Sequence, residues 1–194
     1  MLTQLSTLKS RLGLEAIDTT DDVLLTSLIR QVSARFAAEC NRVFDYGTGL
    51  TFEFWANQTQ LVVDRPPIES VAQFELKNSE AEGWLLQSDV DYLLWPEKTV
   101  IELALPLGAA GQLGRVTYSG GYVLPGATPT GSQIALPDDL DLACAEQAAY
   151  WYQRRSQLGL VSVSSGGNLV QQFQKGDLLP QVEAVLRRRE RWVN

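Results

Sequence analysis

Residues 118–155, YSGGYVLPGATPTGSQIALPDDLDLACAEQAAYWYQRR, combine the end of a strand, a loop and a long helix. The pair Gly120-Gly121 interrupts the predicted strand, and residues 125–133 form a loop rich in Pro, Gly, Thr and Ser. Pro137 suits a first helical turn, because its missing N–H would have no intrahelical partner there. Asp138 and Asp139 place negative charge against the positive end of the helix dipole. The stretch therefore predicts a capped helix that is connected to a strand through a flexible loop.

The helix has one apolar face and an aromatic, basic end. Leu140, Cys144, Ala148 and Trp151 recur at spacings of four and three, so they share one side of the helix. We therefore expect Trp151 to lie in the core. Tyr150 or Tyr152 is then expected to meet another subunit, because Tyr, Trp and Arg are enriched at interface centres. Stacking of these aromatic rings on nucleic-acid bases beside Arg154 and Arg155 is the other possibility.

Two helices are predicted before the first strand. Residues 2–12 form a short helix that Gly13 ends, and its apolar side contains Leu5, Leu8 and Leu12. The segment DTTDD offers Thr19 or Thr20 as the N-cap of a second, longer helix. The apolar stripe of that helix comprises Leu25, Ile29, Val32, Phe36, Cys40 and Val43.

The middle of the chain has the alternation and turn residues of short strands. Residues 50–56 and 60–64 are predicted to form a hairpin, which Arg65-Pro66-Pro67 ends because proline cannot donate a ladder hydrogen bond. Residues 68–77 form another strand, with Val71 and Phe74 in the core. Further strands are predicted at 84–86, 92–95, 99–103 and 114–119. The predicted fold class is α+β, with long helices packed around a small antiparallel sheet or open barrel.

The carboxyl-terminal part is predicted to be a hairpin, or flap, followed by a short helix. Apolar residues alternate around Ser165-Gly166-Gly167-Asn168, and we expect four of them to pair with a neighbouring subunit: Val161, Val163, Leu169 and Phe173. Asp177 is the expected cap of the last helix, with Pro180 in its first turn and Val182, Val185 and Leu186 on its apolar side. The predicted organisation is a core domain over residues 1–157 and a flap with an Arg-rich helix over 158–194.

The chain ends in a concentrated positive charge. Four Arg and one Glu in RRRERW give a local charge of +3 on a chain whose formal net charge is -7. These residues, Arg187, Arg188, Arg189 and Arg191 with Trp192, form either a solvated helix end or a docking tail for an acidic partner.

Composition is typical of a globular protein and narrows the possible functions. Hydrophobic residues make up 45% and charged residues 20% of the 194 residues, values unlike those of a disordered chain. The acidic balance argues against a sequence-reading nucleic-acid binder, which usually has a basic footprint. Cys40 and Cys144 are expected to be buried thiols. The first residues lack the apolar stretch of a signal peptide, and no run is long enough to span a membrane.

No catalytic, cofactor or metal site is predicted. The chain has no His, which removes the usual general base and the commonest metal ligand. The glycines of SGGY lack the spacing of a phosphate-binding loop. The carboxylates Asp89, Asp91, Glu80 and Glu82 lie in polar turns without a supporting ligand cluster. Ser164 and Ser165 lack a His that could activate them.

Several of these stretches together resemble a known protein family. YSGGYV, the Pro/Gly loop, LPDDL and AAYWYQRR, preceded by DDVLLTSLIRQVSARFAAECNRVF, are similar to the head–tail connector (adaptor, head-completion) proteins of tailed bacteriophages. The similarity extends from about Leu5 to Gln157. The flap and the Arg-rich end are the parts that match it least.

The resemblance implies a structural role in the virion neck, between head and tail, after assembly in the host cytoplasm. Connector subunits form a ring of about twelve copies under the portal protein. The ring extends the channel through which double-stranded DNA passes without sequence-specific binding, and it offers a platform for a stopper or tail-completion protein. The predicted contacts with portal or neighbour involve Tyr150, Tyr152, Arg154, Arg155, Arg187, Arg188, Arg189, Arg191 and Trp192.

Two other functions remain open on the sequence. One is a tail-completion ring protein, resembling tail terminators, which would dock on the tail instead of the portal. The other is a small hydrolase without His, which would have to rely on carboxylate chemistry. The expectation is therefore a non-enzymatic protein without cofactors and without a membrane partner.

Overall fold

The computed structural model describes residues 1–155 and 178–191, together with the backbone of residues 162–165 and 169–172. Its fold is α+β, which confirms the predicted class. The helices are α1 (Leu5–Leu12), α2 (Asp22–Glu39), α3 (Asp138–Gln153) and α4 (Pro180–Arg187). The strands are β1 (Gly47–Trp55), β2 (Gln60–Val62), β3 (Ile68–Lys77), β4 (Leu85–Gln87), β5 (Tyr92–Leu94), β6 (Val100–Leu103), β7 (Leu113–Gly120), β8 (Tyr122–Val123), β9 (Ile134–Ala135), β10 (Ser162–Ser165) and β11 (Leu169–Gln172).

The chain divides into two compact units. A helical unit comprises residues 1–39 and 137–189, and a β unit comprises residues 40–136 and 190–194. The chain therefore leaves the helical unit after α2, builds the β unit, and returns at α3. The predicted boundary between residues 157 and 158 lies outside the described residues and stays a prediction.

The starts of the helices differ from their predicted positions. The first helix ends at Gly13 as predicted, with Gly13 in the left-handed region at φ 70°, but it begins at Leu5. The second begins at Asp22, and the Asp21 carbonyl accepts the N–H of Leu25 at 2.8 Å. Neither Thr19 nor Thr20 is the cap, because the Asp18 carboxylate accepts the Thr20 N–H at 3.0 Å and holds that residue in the preceding turn.

The core of the helical unit is formed around α3, which contacts α1, α2 and α4. The predicted stripes are confirmed for seven side chains that are fully buried: Leu25, Ile29, Val32, Phe36, Leu140, Cys144 and Ala148. Cys40 is also buried, so both cysteines are buried thiols, as predicted. However, Cys40 and Val43 follow the end of α2 at Glu39 and do not extend its stripe.

The aromatic end of α3 differs from the prediction. Tyr152 is buried and Trp151 is only half-buried, so Tyr152 takes the core position that we expected for Trp151. The Tyr152 hydroxyl donates to the Asp21 carboxylate. This hydrogen bond accounts for the burial of Tyr152 in place of Trp151. The tyrosine ring packs like an apolar side chain, and its hydroxyl has the hydrogen-bond partner that burial requires.

The residue just before the last helix is held by a side chain from another helix. The residue that precedes it is Leu179, not the predicted Asp177, which lies outside the described residues. Gln147 is fully buried on α3, and its Oε1 accepts the Leu179 N–H at 2.9 Å. Pro180 occupies the first turn as predicted, and Val182 and Leu186 are buried. The Gln147 amide therefore satisfies the N–H of the residue at the N-cap position, the donor that the N3 side chain takes in a capping box.

The β unit contains two antiparallel sheets, ordered β1-β7-β3-β4 and β2-β6-β5. The predicted hairpin of residues 50–56 with 60–64 is wrong, since β1 pairs with β7 and β2 pairs with β6. Alternation located both strands but carried no information on which strands would pair. The strand predicted at 68–77 is confirmed at its stated bounds.

The two sheets contribute side chains to one core. The larger sheet contributes Phe54, Phe74, Val116 and Tyr118, and the smaller sheet contributes Leu61, Ile101 and Leu103. Residues directly opposite in antiparallel strands point to the same side. The registers therefore divide every strand into a core face and an outer face.

The glycine pair is required where three segments of backbone meet. A Cβ on Gly120 would lie 2.6 Å from the Arg65 carbonyl oxygen, and one on Gly121 would lie 2.4 Å from that of Asp45. Gly121 also has φ 100°, a conformation that favours glycine. The loop of residues 125–133 is also bound to β3, because the Ser132 hydroxyl donates a hydrogen bond to the Glu69 carboxylate at 2.7 Å. The hydrogen bonds from Tyr46 and Ser132 lower the pKa of the Glu69 carboxyl.

Candidate assembly surfaces

The carboxylates and the thiol that could have supported catalysis either make local hydrogen bonds or are buried. Glu80 accepts from Lys77 at 2.6 Å, and Glu82 accepts from Asn78 at 3.0 Å, so both belong to local turn contacts. Burial raises the pKa of the Cys144 thiol to about 12, which keeps it from acting as a nucleophile. Across the residues that the structure describes, no three His, Cys, Asp or Glu side chains come together as metal ligands.

Two of the carboxyl-terminal arginines lie at the exposed end of α4. The side chain of Arg187 is 79% exposed and is 3.8 Å from Glu183, one helical turn away. Arg188 follows as the C-cap and is also exposed. An exposed pair at this spacing contributes only about 0.3–0.5 kcal/mol, so Arg187 can exchange Glu183 for another carboxylate at little cost.

The other two arginines make contacts within their own units. Arg189 reaches the carboxylate of Asp139 at 3.1 Å, which ties the end of α4 to the first turn of α3. The Arg191 N–H donates to the Cys40 carbonyl at 2.9 Å, and its guanidinium lies 5.7 Å from the Phe52 ring centroid. The RRRERW run therefore separates into an outward pair, Arg187 and Arg188, and two arginines in structural contacts. Trp192 lies outside the described residues.

The basic end of α3 is folded onto its own aromatic side chains. The Arg155 guanidinium lies 3.9 Å from the Tyr152 ring centroid, and its Nη1 donates to the Tyr152 carbonyl at 2.9 Å. Arg154 lies 5.2 Å from the Tyr150 ring centroid and donates to the Tyr150 hydroxyl. In each case the cation covers one face of the ring. Their role at a portal or subunit contact stays a prediction.

The predicted carboxyl-terminal hairpin is confirmed at the level of the backbone. Strands β10 and β11 are antiparallel, with Ser162 opposite Gln172 and Ser165 opposite Leu169. Among the described strands, these two pair only with each other. Val163 and Leu169 lie on the two arms, while Val161 and Phe173 lie outside the described residues. An isolated two-stranded hairpin is marginal in water, so further pairing would stabilise it.

The β unit exposes large apolar side chains that are not among the contact residues predicted from the sequence. Trp55 is 55% exposed, Leu86 is 66% exposed and Leu93 is 72% exposed. Strand alternation contained the signal for Trp55, because Phe52 and Phe54 share one face and leave Trp55 beside Glu53 on the other. For Leu86 and Leu93 the strand pairing was needed to distinguish the two faces.

Comparison with known proteins identifies a fold and no sequence relative. No protein-family model matches the chain, and no curated protein matches it.

In the described residues, no helix combines the length and apolar character needed to cross a bilayer.

Solved structures with the same fold come from gene transfer agent (GTA) particles. One is a chain in the neck of an empty GTA particle computed with C6 symmetry, at TM-score 0.60 and 16% identity. Another is a chain in the neck of the native GTA particle computed with C12 symmetry, at TM-score 0.57 and 17% identity. A third is in the virion of the native particle, at TM-score 0.56 and 16% identity. Each match covers 100% of this chain and 91% of the other. The whole chain thus has the fold of a protein in a phage-like particle neck.

Proposed function

We propose that this protein is a structural, non-enzymatic subunit of a ring in the neck of a phage-like virion, where it joins the portal to the tail. The observation that carries the proposal is the likeness of fold over the entire chain to neck proteins from particles computed with C6 and C12 symmetry. In this role the ring extends the channel for double-stranded DNA and receives a stopper or tail-completion protein. The test is the mass of the purified protein, alone and with portal. A monomer in both conditions would contradict the proposal.

A tail-completion ring protein is the second candidate, because it would share a ring architecture and a neck location. The two differ in their partner, since a connector binds portal and a tail-completion protein binds the isolated tail tube. Incubation with each partner followed by sedimentation distinguishes them. Binding to tails without binding to portal would replace the first proposal by the second.

Docking on the portal is proposed to use the outward pair Arg187 and Arg188 at the end of α4. Both are exposed on an acidic chain, and arginine binds carboxylates through paired hydrogen bonds. Truncation of the whole Arg run would also remove the Arg189–Asp139 and Arg191–Cys40 contacts, so charge reversal of the outward pair is the cleaner change.

We expect the double variant Arg187→Glu/Arg188→Glu to bind DNA-free portal at least tenfold more weakly. A tenfold loss corresponds to about 1.4 kcal/mol, a plausible sum for rim charges repeated around a ring. The matched control is Arg30→Glu/Arg35→Glu, which makes the same charge change on α2 and also breaks one pair at i,i+4, Arg35–Glu39. Equal portal affinity in the two double variants would show that docking lies elsewhere.

The hairpin of β10 and β11 is proposed to gain a partner strand in the assembled ring. Hydrogen exchange of residues 162–174 should be fast in the free subunit and at least tenfold slower in the ring, because an added strand supplies hydrogen bonds to an open edge. Exchange in α2 serves as the internal reference. Identical protection of the hairpin in both states would sink this expectation and leave the ring itself untouched.

A further inference from the structure

The outer face of the larger sheet has the composition of a protein interface. One row across its strands consists of Glu53, Arg115, Glu75 and Leu86, which are paired in register. Arg115 makes two 2.8 Å hydrogen bonds to Glu75, and its guanidinium lies 4.3 Å from the Trp84 ring centroid. Arg115 is therefore held in place by its neighbours, and this fixed geometry avoids part of the entropy cost of binding.

The next row of the same face adds exposed apolar surface. Trp55 pairs with Leu113, and Leu113 pairs with Lys77. Within this row, the Trp55 side chain is 55% exposed. In the neighbouring row, Leu86 on the edge strand β4 is 66% exposed. Water-facing sheet surfaces are normally polar. Trp and Arg, in contrast, are typical of interface centres.

The smaller sheet exposes a second apolar face. Leu93 is opposite Glu102, and Glu102 is opposite Gln60, so these side chains point to the same side. Trp95 lies on that side too, because its Nε1 donates to Glu102 at 3.0 Å. Leu94, between Leu93 and Trp95, packs into the core instead. This face therefore presents Leu93 (72% exposed) and Trp95 (38% exposed).

We propose that these two outer faces are the two halves of a head-to-tail contact between neighbouring copies of this chain. The large face comprises Trp55, Trp84, Leu86 and Arg115, and the small face comprises Gln60, Leu93, Trp95 and Glu102. In the ring, the large face of one copy packs against the small face of the next. The inference rests on the proposed ring function and names the surfaces that would build it.

A second copy is the occupant that fits both faces at once. A cyclic ring needs two different surfaces on each subunit, since an interface with a single self-complementary patch gives a closed dimer. The two faces belong to different sheets and both point away from the shared core, because each sheet turns its other side inward. They can therefore meet two different neighbours, which any cyclic arrangement demands, including the C6 and C12 symmetry with which the necks of the similar structures were computed.

The test begins with one substitution on each face. Leu86→Lys changes the large face and Leu93→Lys changes the small face, both at exposed strand positions where lysine is well tolerated. Leu105→Lys is the matched control, because Leu105 is 77% exposed in the same unit but follows β6 in a loop outside both faces. Each face variant is expected to raise the protein concentration needed for ring formation, on its own or on portal, at least tenfold. The control should assemble like the wild type.

Mixing the two face variants gives a sharper result. A Leu86→Lys subunit keeps an intact small face, and a Leu93→Lys subunit keeps an intact large face. The mixture should therefore give heterodimers by native mass spectrometry, although neither variant alone associates. Rings of either variant at wild-type concentrations would overturn the inference while leaving the ring function standing. A wild-type protein that never forms rings, even with portal, would instead refute the proposed function.

A crosslinking experiment covers the case in which a lysine variant does not fold. Gln60→Cys places one reactive thiol at the exposed rim of the small face, while Cys40 and Cys144 stay buried. After labelling with benzophenone maleimide and irradiation of the rings, the photoproduct should join residue 60 to residues 53–55 or 84–86 of another copy. Crosslinks to the helical unit of the neighbour, or to portal alone, would contradict the proposal.

Discussion

Gly121→Ala is expected to lower the free energy of unfolding by about 3 kcal/mol or more. Two costs add at this position. The backbone has φ 100°, which an L side chain rarely adopts, and the new Cβ would lie 2.4 Å from the carbonyl oxygen of Asp45. The strained backbone and the overpacking each cost about 1–3 kcal/mol. Because the atom in the way is backbone, relief requires the segment at Asp45 to move. Urea unfolding followed by tryptophan fluorescence measures the loss.

Gly111→Ala separates the two costs. Its φ is 94°, close to that of Gly121, but a Cβ there would meet nothing within 4 Å. We therefore expect this control to lose only about 1–2 kcal/mol, the contribution of the backbone conformation alone. If both variants lost the same free energy of unfolding, the contact of the new Cβ with the Asp45 carbonyl would contribute nothing to the destabilisation.

Tyr118→Ala is expected to cost about 3–5 kcal/mol, because it leaves a cavity at a fully buried ring in the core of the β unit. Tyr118 also joins two segments through its hydroxyl. It donates to Asp64 Oδ1 at 2.6 Å and accepts the Arg65 N–H at 3.2 Å. Burial, reinforced by the hydrogen bond to Asp64, raises the pKa of this hydroxyl, which keeps it a proton donor throughout the physiological range.

Tyr118→Phe keeps the ring and removes only the hydroxyl, so it is the matched variant. We expect a loss of about 1–3 kcal/mol, the usual cost when a buried hydrogen bond to a charged group disappears. Thermal and urea unfolding of both variants at pH 7 give the comparison. Equal losses would mean that the hydrogen bonds, and not the packing of the ring, account for the role of Tyr118.

Local chemistry was sufficient wherever an element is defined by its own residues. The period of Leu25, Ile29, Val32 and Phe36 predicted the buried side of α2, and the polar turns predicted the short strands. Gly13 ended α1 because a left-handed residue closes a helix without help from distant segments. Two of the predictions that failed, the cap at Asp177 and the core position of Trp151, concern positions where a partner distant along the chain decides. Gln147 accepts the N–H of Leu179, the residue that precedes α4, and the Asp21 carboxylate accepts the hydroxyl of Tyr152.

The same distinction applies to the candidate surfaces. The sequence predicted a concentrated charge at the carboxyl end, but in the fold the Arg189 guanidinium pairs with Asp139 and that of Arg191 lies 5.7 Å from the Phe52 ring centroid. Arg187 and Arg188 remain outward. Leu86 and Leu93 resembled core residues until their partners Glu75 and Glu102 identified the outer faces. The sequence by itself determined the α+β class, most element positions and the buried thiols, because period, caps and turn residues act over a few neighbours. Only the tertiary structure decided which strands pair, which tyrosine is buried and which apolar residues remain outside, because those outcomes depend on partners distant along the chain.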